Sequence, residues 1–177
     1  IDEMKDYISK FDYLSAREKS GVKIIKELTD KDACFVVDPT LLLDGNYQEA
    51  ILPSVEEDFI FSYTLRNRDL AASVEKYVCK KMGLSMLNVE KLNRQNIAVG
   101  PLEWLGYFKA AKFIITNSYH GTIFSIIFNK PFIFVSLSGA KAAFNERSKS
   151  LLKNLGLYGH IVSNFDIIYV AYSFLFF

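Results

Sequence analysis

The stretch Asn117-Ser118-Tyr119-His120-Gly121-Thr122 holds the residues best suited to chemistry. It follows the apolar run 113–116, which reads as a strand. It precedes 122–128, which reads as a buried helix stopped by Asn129-Lys130-Pro131. His120, one of 2 histidines, therefore stands where a strand hands over to a helix. Open α/β sheets place ligands at such junctions. A helix start offers N–H groups without intrahelical partners and the positive end of a dipole, and both suit an anion. An imidazole there can take or give a proton near neutral pH. The expectation is proton transfer on an anionic substrate. The plainer alternative for His120 is a capping or core histidine bonded to a backbone carbonyl.

The elements that must hold this junction can be read along the chain. From Asp58 onward strands and helices alternate. Residues 59–65 form a strand by their β-branched and aromatic content. Residues 70–82 place Leu70, Val74, Tyr77 and Val78 on one side of a helix that stops at Gly83. A second strand covers 85–89, and 93–100 reads as loop. Pro101 opens a helix carrying Trp104, Leu105 and Phe108. A fourth strand covers 132–135, and a helix over 146–155 closes at Gly156. Such alternation predicts an α/β fold, a Rossmann-like parallel sheet with helices on both faces and right-handed crossovers. No GxGxxG follows the first strand, so a dinucleotide site has weak support. Ahead of this unit, Ser15-Ala16-Arg17-Glu18 has the spacing of a capping box at a helix start. Val22, Ile24, Ile25 and Leu28 continue its apolar face. A short strand at 34–37 closes at Asp38-Pro39, a turn device. Asp44-Gly45-Asn46 marks another turn, and 46–57 reads as a linker.

The chain has 177 residues, 50% hydrophobic and 23% charged, which fits a folded domain with a large core. Its net charge of +1 offers no bulk field for nucleic acid or an anionic membrane. Cys34 reads as a small buried hydrophobe and Cys79 as a helix residue. Neither has metal-ligand spacing, so no metal and no disulfide framework is expected. A reducing, cytoplasmic setting follows. Trp104 reads as core, and His160 as a surface-loop residue. The sequence opens on Ile1 without a signal peptide, and we read it as a fragment. The apolar tail 167–177 reads as truncated or aberrant and is too short to span a bilayer, which takes ~20 residues.

Four segments in order carry a family resemblance: Ser15-Ala16-Arg17-Glu18, Val37-Asp38-Pro39-Thr40-Leu41-Leu42-Leu43, Gly100-Pro101-Leu102-Glu103-Trp104-Leu105, and Thr116-Asn117-Ser118-Tyr119-His120-Gly121-Thr122. Together with Phe128-Asn129-Lys130-Pro131-Phe132, they resemble the polysaccharide pyruvyl transferases. The resemblance runs from about Phe11 to about Phe165. It implies an architecture similar to the two-domain GT-B glycosyltransferases, with an active site between two Rossmann-like domains. Residues 1–45 are then the end of a truncated N-terminal domain, 46–57 the linker and 58–166 the C-terminal domain. It also implies transfer of the enolpyruvyl group of phosphoenolpyruvate to two hydroxyls of a saccharide, giving a pyruvate ketal. The acceptor can be lipid-linked, which places the reaction in the cytoplasm at the inner face of the membrane. No cofactor is implied.

That reaction needs an acid/base group and cations for a phosphate and a carboxylate. The family's motif histidine falls on His120. Its motif arginine falls on Arg17, whose guanidinium can clamp either anion. The plainer role for Arg17 is an exposed arginine paired with Glu18 or Asp12. Lys141, in the segment after Ser138-Gly139-Ala140, or Arg147 supplies a second cation. Both follow a strand at the carboxyl edge of the sheet. Ser118, Gly121 and Thr122 offer N–H groups and hydroxyls to the phosphate, with Asn117 beside them. Gly121 can instead answer only to the turn, and Asn117 can simply cap the strand. Two other readings stand beside this one. One is a nucleotide-sugar glycosyltransferase of the same architecture. The other is an inactive fragment or binding domain.

Overall fold

The computed structural model describes residues 2–42, 47, 49–65, 69–95 and 97–164. The turn expected at Asp44-Gly45-Asn46 and the tail 167–177 lie outside them. The chain divides into two compact units, Ile1–Asp44 and Gly45–Phe177.

The first unit holds helix α1 (Asp2–Ser9), strand β1 (Ser15–Ala16), helix α2 (Lys19–Thr29) and strand β2 (Cys34–Phe35). The two strands pair in parallel, Ser15 beside Cys34 and Ala16 beside Phe35. The capping box expected at Ser15 is not formed. Ser15 lies in β1, and the N-cap of α2 is Glu18, in extended conformation and without a side-chain cap bond. The ladder bonds from Cys34 N to Leu14 O (2.9 Å) and from Val36 N to Ala16 O (3.0 Å) outweigh the local motif. Cys34, expected in the core, is exposed. Beyond β2, a short 3-10 helix spans Pro39–Leu42.

The second unit is a five-stranded sheet. Its strands are β3 (Phe59–Tyr63), β4 (Ser85–Asn88), β5 (Phe113–Thr116), β6 (Phe132–Val135) and β7 (Ile161–Val162). All pairs are parallel, in the order β4-β3-β5-β6-β7. The connecting helices are α3 (Asp69–Met82), α4 (Val89–Arg94), α5 (Pro101–Ala110), α6 (Tyr119–Ile127) and α7 (Glu146–Asn154). The strands are apolar on both sides because both sides are covered. Ile60, Phe113, Ile115, Ile133 and Val135 meet Ala71, Val74 and Val78 of α3 on one face. Phe59, Phe61, Ile114, Phe132 and Phe134 meet Leu92, Phe108, Phe124 and Leu152 of α4 to α7 on the other. The alternation of neighbours between faces is the period of a strand.

Three elements of this unit depart from expectation. β7 and α4 were not foreseen, being only 2 and 6 residues long. α6 begins at Tyr119, three residues earlier than the pattern suggested, because Ser118 caps it. Trp104 stands among the rings of Tyr63, Phe108 and Phe124 at centroid distances of 5.0, 4.5 and 5.3 Å. Its indole N–H is buried with no hydrogen-bond partner among the described residues.

Candidate functional site

The strand order reverses between β3 and β5. From β3 the chain steps to β4 on one side, then returns past β3 to β5 on the other. Beyond the carboxyl ends of such a strand pair lies the usual ligand crevice of a doubly wound sheet. Here those ends are tied together. Tyr63 pairs with Thr116, and the Thr116 hydroxyl donates to the Tyr63 carbonyl at 2.7 Å. One step further, the Asn117 amide grips Leu65 twice. Its oxygen accepts from the Leu65 N–H (2.6 Å), and its nitrogen donates to the Leu65 carbonyl (2.7 Å). Asn117 is buried and acts as a clamp between the two loops that leave the switch point.

His120 lies on this edge, in the first turn of α6, and is exposed. Its ring stands 5.6 Å from that of Tyr119, nearly edge-on at 74°. The turn beneath it is built by its neighbours. Ser118 Oγ accepts from the Gly121 N–H at 3.3 Å, and the Thr122 hydroxyl donates to the Ser118 carbonyl at 3.0 Å. The N–H of Gly121 and the hydroxyls of Ser118 and Thr122 thus have partners inside the cap. Gly121 has a steric reason as well. A Cβ there would lie 2.2 Å from Thr116 Oγ1, the atom that ties β5 to β3.

Lys141 and Arg147 follow β6. Lys141 is exposed on a 3-10 helix, Gly139–Asn145, and Arg147 is partly exposed in the first turn of α7. A second asparagine, absent from the sequence expectations, anchors this segment. Asn145 is buried, accepts from the Leu137 N–H (2.8 Å) and donates to the Leu137 carbonyl (2.7 Å). It repeats the Asn117 device one strand further along the sheet. No sequence signal marks it, since eight residues separate the partners.

In the first unit, Arg17 follows β1 and pairs with Asp38, not with Glu18 or Asp12 as its plainer role supposed. Its Nη1 donates to Asp38 Oδ2 at 2.5 Å. The other carboxylate oxygen accepts from the Thr40 N–H (3.0 Å) and the Thr40 hydroxyl (2.5 Å). Asp38 is therefore the turn device expected, and also an arginine's partner. Burial works to raise its pKa, but the Thr40 hydroxyl and N–H and the Arg17 guanidinium together hold it below its ordinary 3.8.

The remaining titratable groups lie apart from the edge. His160 is not the surface residue expected. It is partly buried, its ring 4.4 Å from that of Phe132, and its Nδ1 is 3.0 Å from the Phe132 carbonyl. Burial pushes its pKa below 6.5, and the bond to that carbonyl only partly opposes this. A protonated His160 is therefore disfavoured in the folded state. As pH falls below about 6.5, the unfolded chain takes up this proton first, and stability declines towards the folded value. Above that window the contribution is complete. Unfolding in denaturant at pH 7.5 and at pH 5 checks this, because His160→Gln removes this part of the pH dependence. An unchanged pH dependence in that variant rejects the assignment. In α3, buried Glu75 accepts from the Ser62 hydroxyl at 2.5 Å. Burial, and the charge of Glu75, push the Cys79 thiol up, away from the thiolate. Among the described residues, no group of three or more His, Cys, Asp or Glu could hold a metal ion, and no helix is long and apolar enough to cross a membrane.

The fold and the edge together define a doubly wound α/β unit with an exposed histidine at its switch point. Of the residues named from sequence, that edge gathers Asn117, Ser118, His120, Gly121 and Thr122. A family model described as polysaccharide pyruvyl transferase matches residues 1–139 of the 177. The chain belongs to that family. Searches among curated proteins and among solved structures return no match. The matched span contains Arg17, Asp38 and His120, and ends before Lys141 and Arg147. Membership implies pyruvyl transfer to a polysaccharide, and so a saccharide acceptor.

Proposed function

We propose that the protein takes part in forming a pyruvate ketal on a saccharide, with phosphoenolpyruvate as donor. The methylene carbon of the donor takes up a proton and becomes the methyl group. A sugar hydroxyl adds to the neighbouring carbon and releases its proton. A second hydroxyl of the sugar adds to the same carbon, and inorganic phosphate leaves, taking up that hydroxyl's proton. His120 moves the proton at the methylene carbon. In the second unit a cation from Lys141 or Arg147 holds an anionic group of the donor, and the first turn of α6 lends its dipole to it. In the first unit Arg17 offers its guanidinium to an anion. The observation that supports this reading most is the placement of His120. Within a span matched by the family, it is exposed at the switch point rather than sealed in the core.

On this reading residues 1–45 close an N-terminal Rossmann-like domain, 46–57 link it to the next, and 58–166 form the second. What favours the first part is the two-stranded parallel sheet of β1 and β2, in which Phe35 of β2 and the Val36 and Val37 that follow it are exposed. Parallel sheets are stable when covered on both faces, so this pair calls for further strands and helices. A lipid-linked acceptor puts the enzyme at the cytoplasmic face of a membrane. Incubating the intact protein with phosphoenolpyruvate and candidate saccharides tests the reading. Acceptor-dependent phosphate release, with a ketal methyl signal in the product, is the expected result. Consumption of a nucleotide sugar in place of phosphoenolpyruvate rejects it.

A further inference from the structure

The pairing of Arg17 with Asp38 is lopsided. The Asp38 side chain is 3% exposed, whereas that of Arg17 is 40% exposed. An ion pair that merely decorates a surface leaves both partners in water and contributes little. Here the carboxylate is sunk and immobilised. One oxygen is held by the N–H and hydroxyl of Thr40, at the start of the 3-10 helix Pro39–Leu42. The other meets Arg17. The two residues also share one edge. Arg17 comes directly after β1, and Asp38 follows β2 of the same parallel pair, so both leave the carboxyl ends of their strands. A guanidinium carries only donors, in a planar fork that matches a carboxylate or a phosphate. One Nη1 contact goes to Asp38 and the group remains partly in water.

We propose that Asp38 is a positioning residue. It holds the Arg17 fork in one orientation at the carboxyl edge of the first unit, so that its outward N–H groups meet an anionic group of the substrate. Fixing the fork in advance lowers the ordering cost when the anion binds. This rests on the reading of phosphoenolpyruvate as donor. A tie that serves only to join the ends of β1 and β2 would instead act on stability alone.

Steady-state kinetics of the intact enzyme separate the two. Asp38→Asn keeps the shape and an acceptor for Thr40, and gives up the charge that holds Arg17. It raises KM for phosphoenolpyruvate by about tenfold and leaves kcat largely unchanged. Arg17→Lys keeps the charge without the fork and gives a similar rise. The double variant gives no more than either single one, because both changes remove the same held fork. Thr40→Val removes one of the two bonds that hold the carboxylate but keeps its charge and the Arg17 contact, so it raises KM by less than Asp38→Asn does. Should Asp38→Asn melt too low to assay, Asp38→Glu displaces the charge by one methylene and is also expected to raise KM. A wild-type KM in folded Asp38 variants, or KM effects that multiply in the double variant, overturns the proposal. If the wild-type enzyme consumes no phosphoenolpyruvate, the donor reading itself fails, and that is visible before any variant is made.

Discussion

His120→Ala in the intact enzyme lowers turnover by about 10²–10⁴-fold, the usual contribution of a positioned acid/base group, and leaves the protein folded. The two halves of this expectation come from different observations. The loss follows from the proposed reaction, in which a carbon atom must receive a proton, and no other imidazole stands on this edge among the described residues. The other histidine, His160, is turned into a contact with Phe132 and its carbonyl. The intact fold follows from exposure. The His120 side chain lies outside the core, and the turn that carries it is held by Ser118, Gly121 and Thr122. Substitutions at such surface positions usually change stability by no more than about 0.5 kcal/mol. Thermal melting beside single-turnover kinetics checks both halves. Wild-type turnover in a folded His120→Ala protein removes the histidine from the mechanism. A collapsed melting temperature moves its role from chemistry to structure.

How far the sequence foretold this arrangement depends on the length scale of each signal. The centre of the sheet was legible because three buried strands of the second unit are dense runs of β-branched and aromatic residues with a clear stop, whereas the two-residue β7 is too short to show one. Phe59–Tyr63, Phe113–Thr116 and Phe132–Val135 are of this kind. The junction at His120 was legible for the same reason, since it is defined by the strand before it. What failed was local chemistry that a distant partner overrides. Ser15 and Glu18 have capping-box spacing, yet β2, almost twenty residues on, recruits Ser15 into a ladder. The same holds for Arg17, whose partner is 21 positions away, and for Asn117, whose clamp reaches back 52. Short-range spacing carries no information about such pairs. His160 was misread because a histidine after Tyr158-Gly159 looks like a loop residue until Phe132 is placed beneath it.

The sharpest stability test also concerns a contact the sequence conceals. Gly106 lies in the middle of α5, where alanine ordinarily improves a helix by about 0.5–1 kcal/mol over glycine. The opposite is expected here. The segment read from sequence as a linker runs against α5. The Ile51 N–H donates to the Leu102 carbonyl at 3.1 Å, and the Ile51 carbonyl oxygen stands where a Cβ of residue 106 would be, at 1.7 Å. That oxygen belongs to backbone, so it cannot step aside as a flexible side chain could. Gly106→Ala must push residues 51 and 52 off the helix and break the bond to Leu102. Overpacking of this kind costs about 1–3 kcal/mol, more than the helix gains. The melting temperature then falls by several degrees, at about 2–4 °C per kcal/mol for a chain of this size. Hydrogen exchange gives the local readout, because the Ile51 amide should lose protection while Phe61 and Ile115, deep in the sheet, keep theirs. A more stable Gly106→Ala protein would mean that helix propensity alone governs this position and that residues 51 and 52 are not seated on α5. Unchanged exchange at Ile51 would say the same of the segment directly.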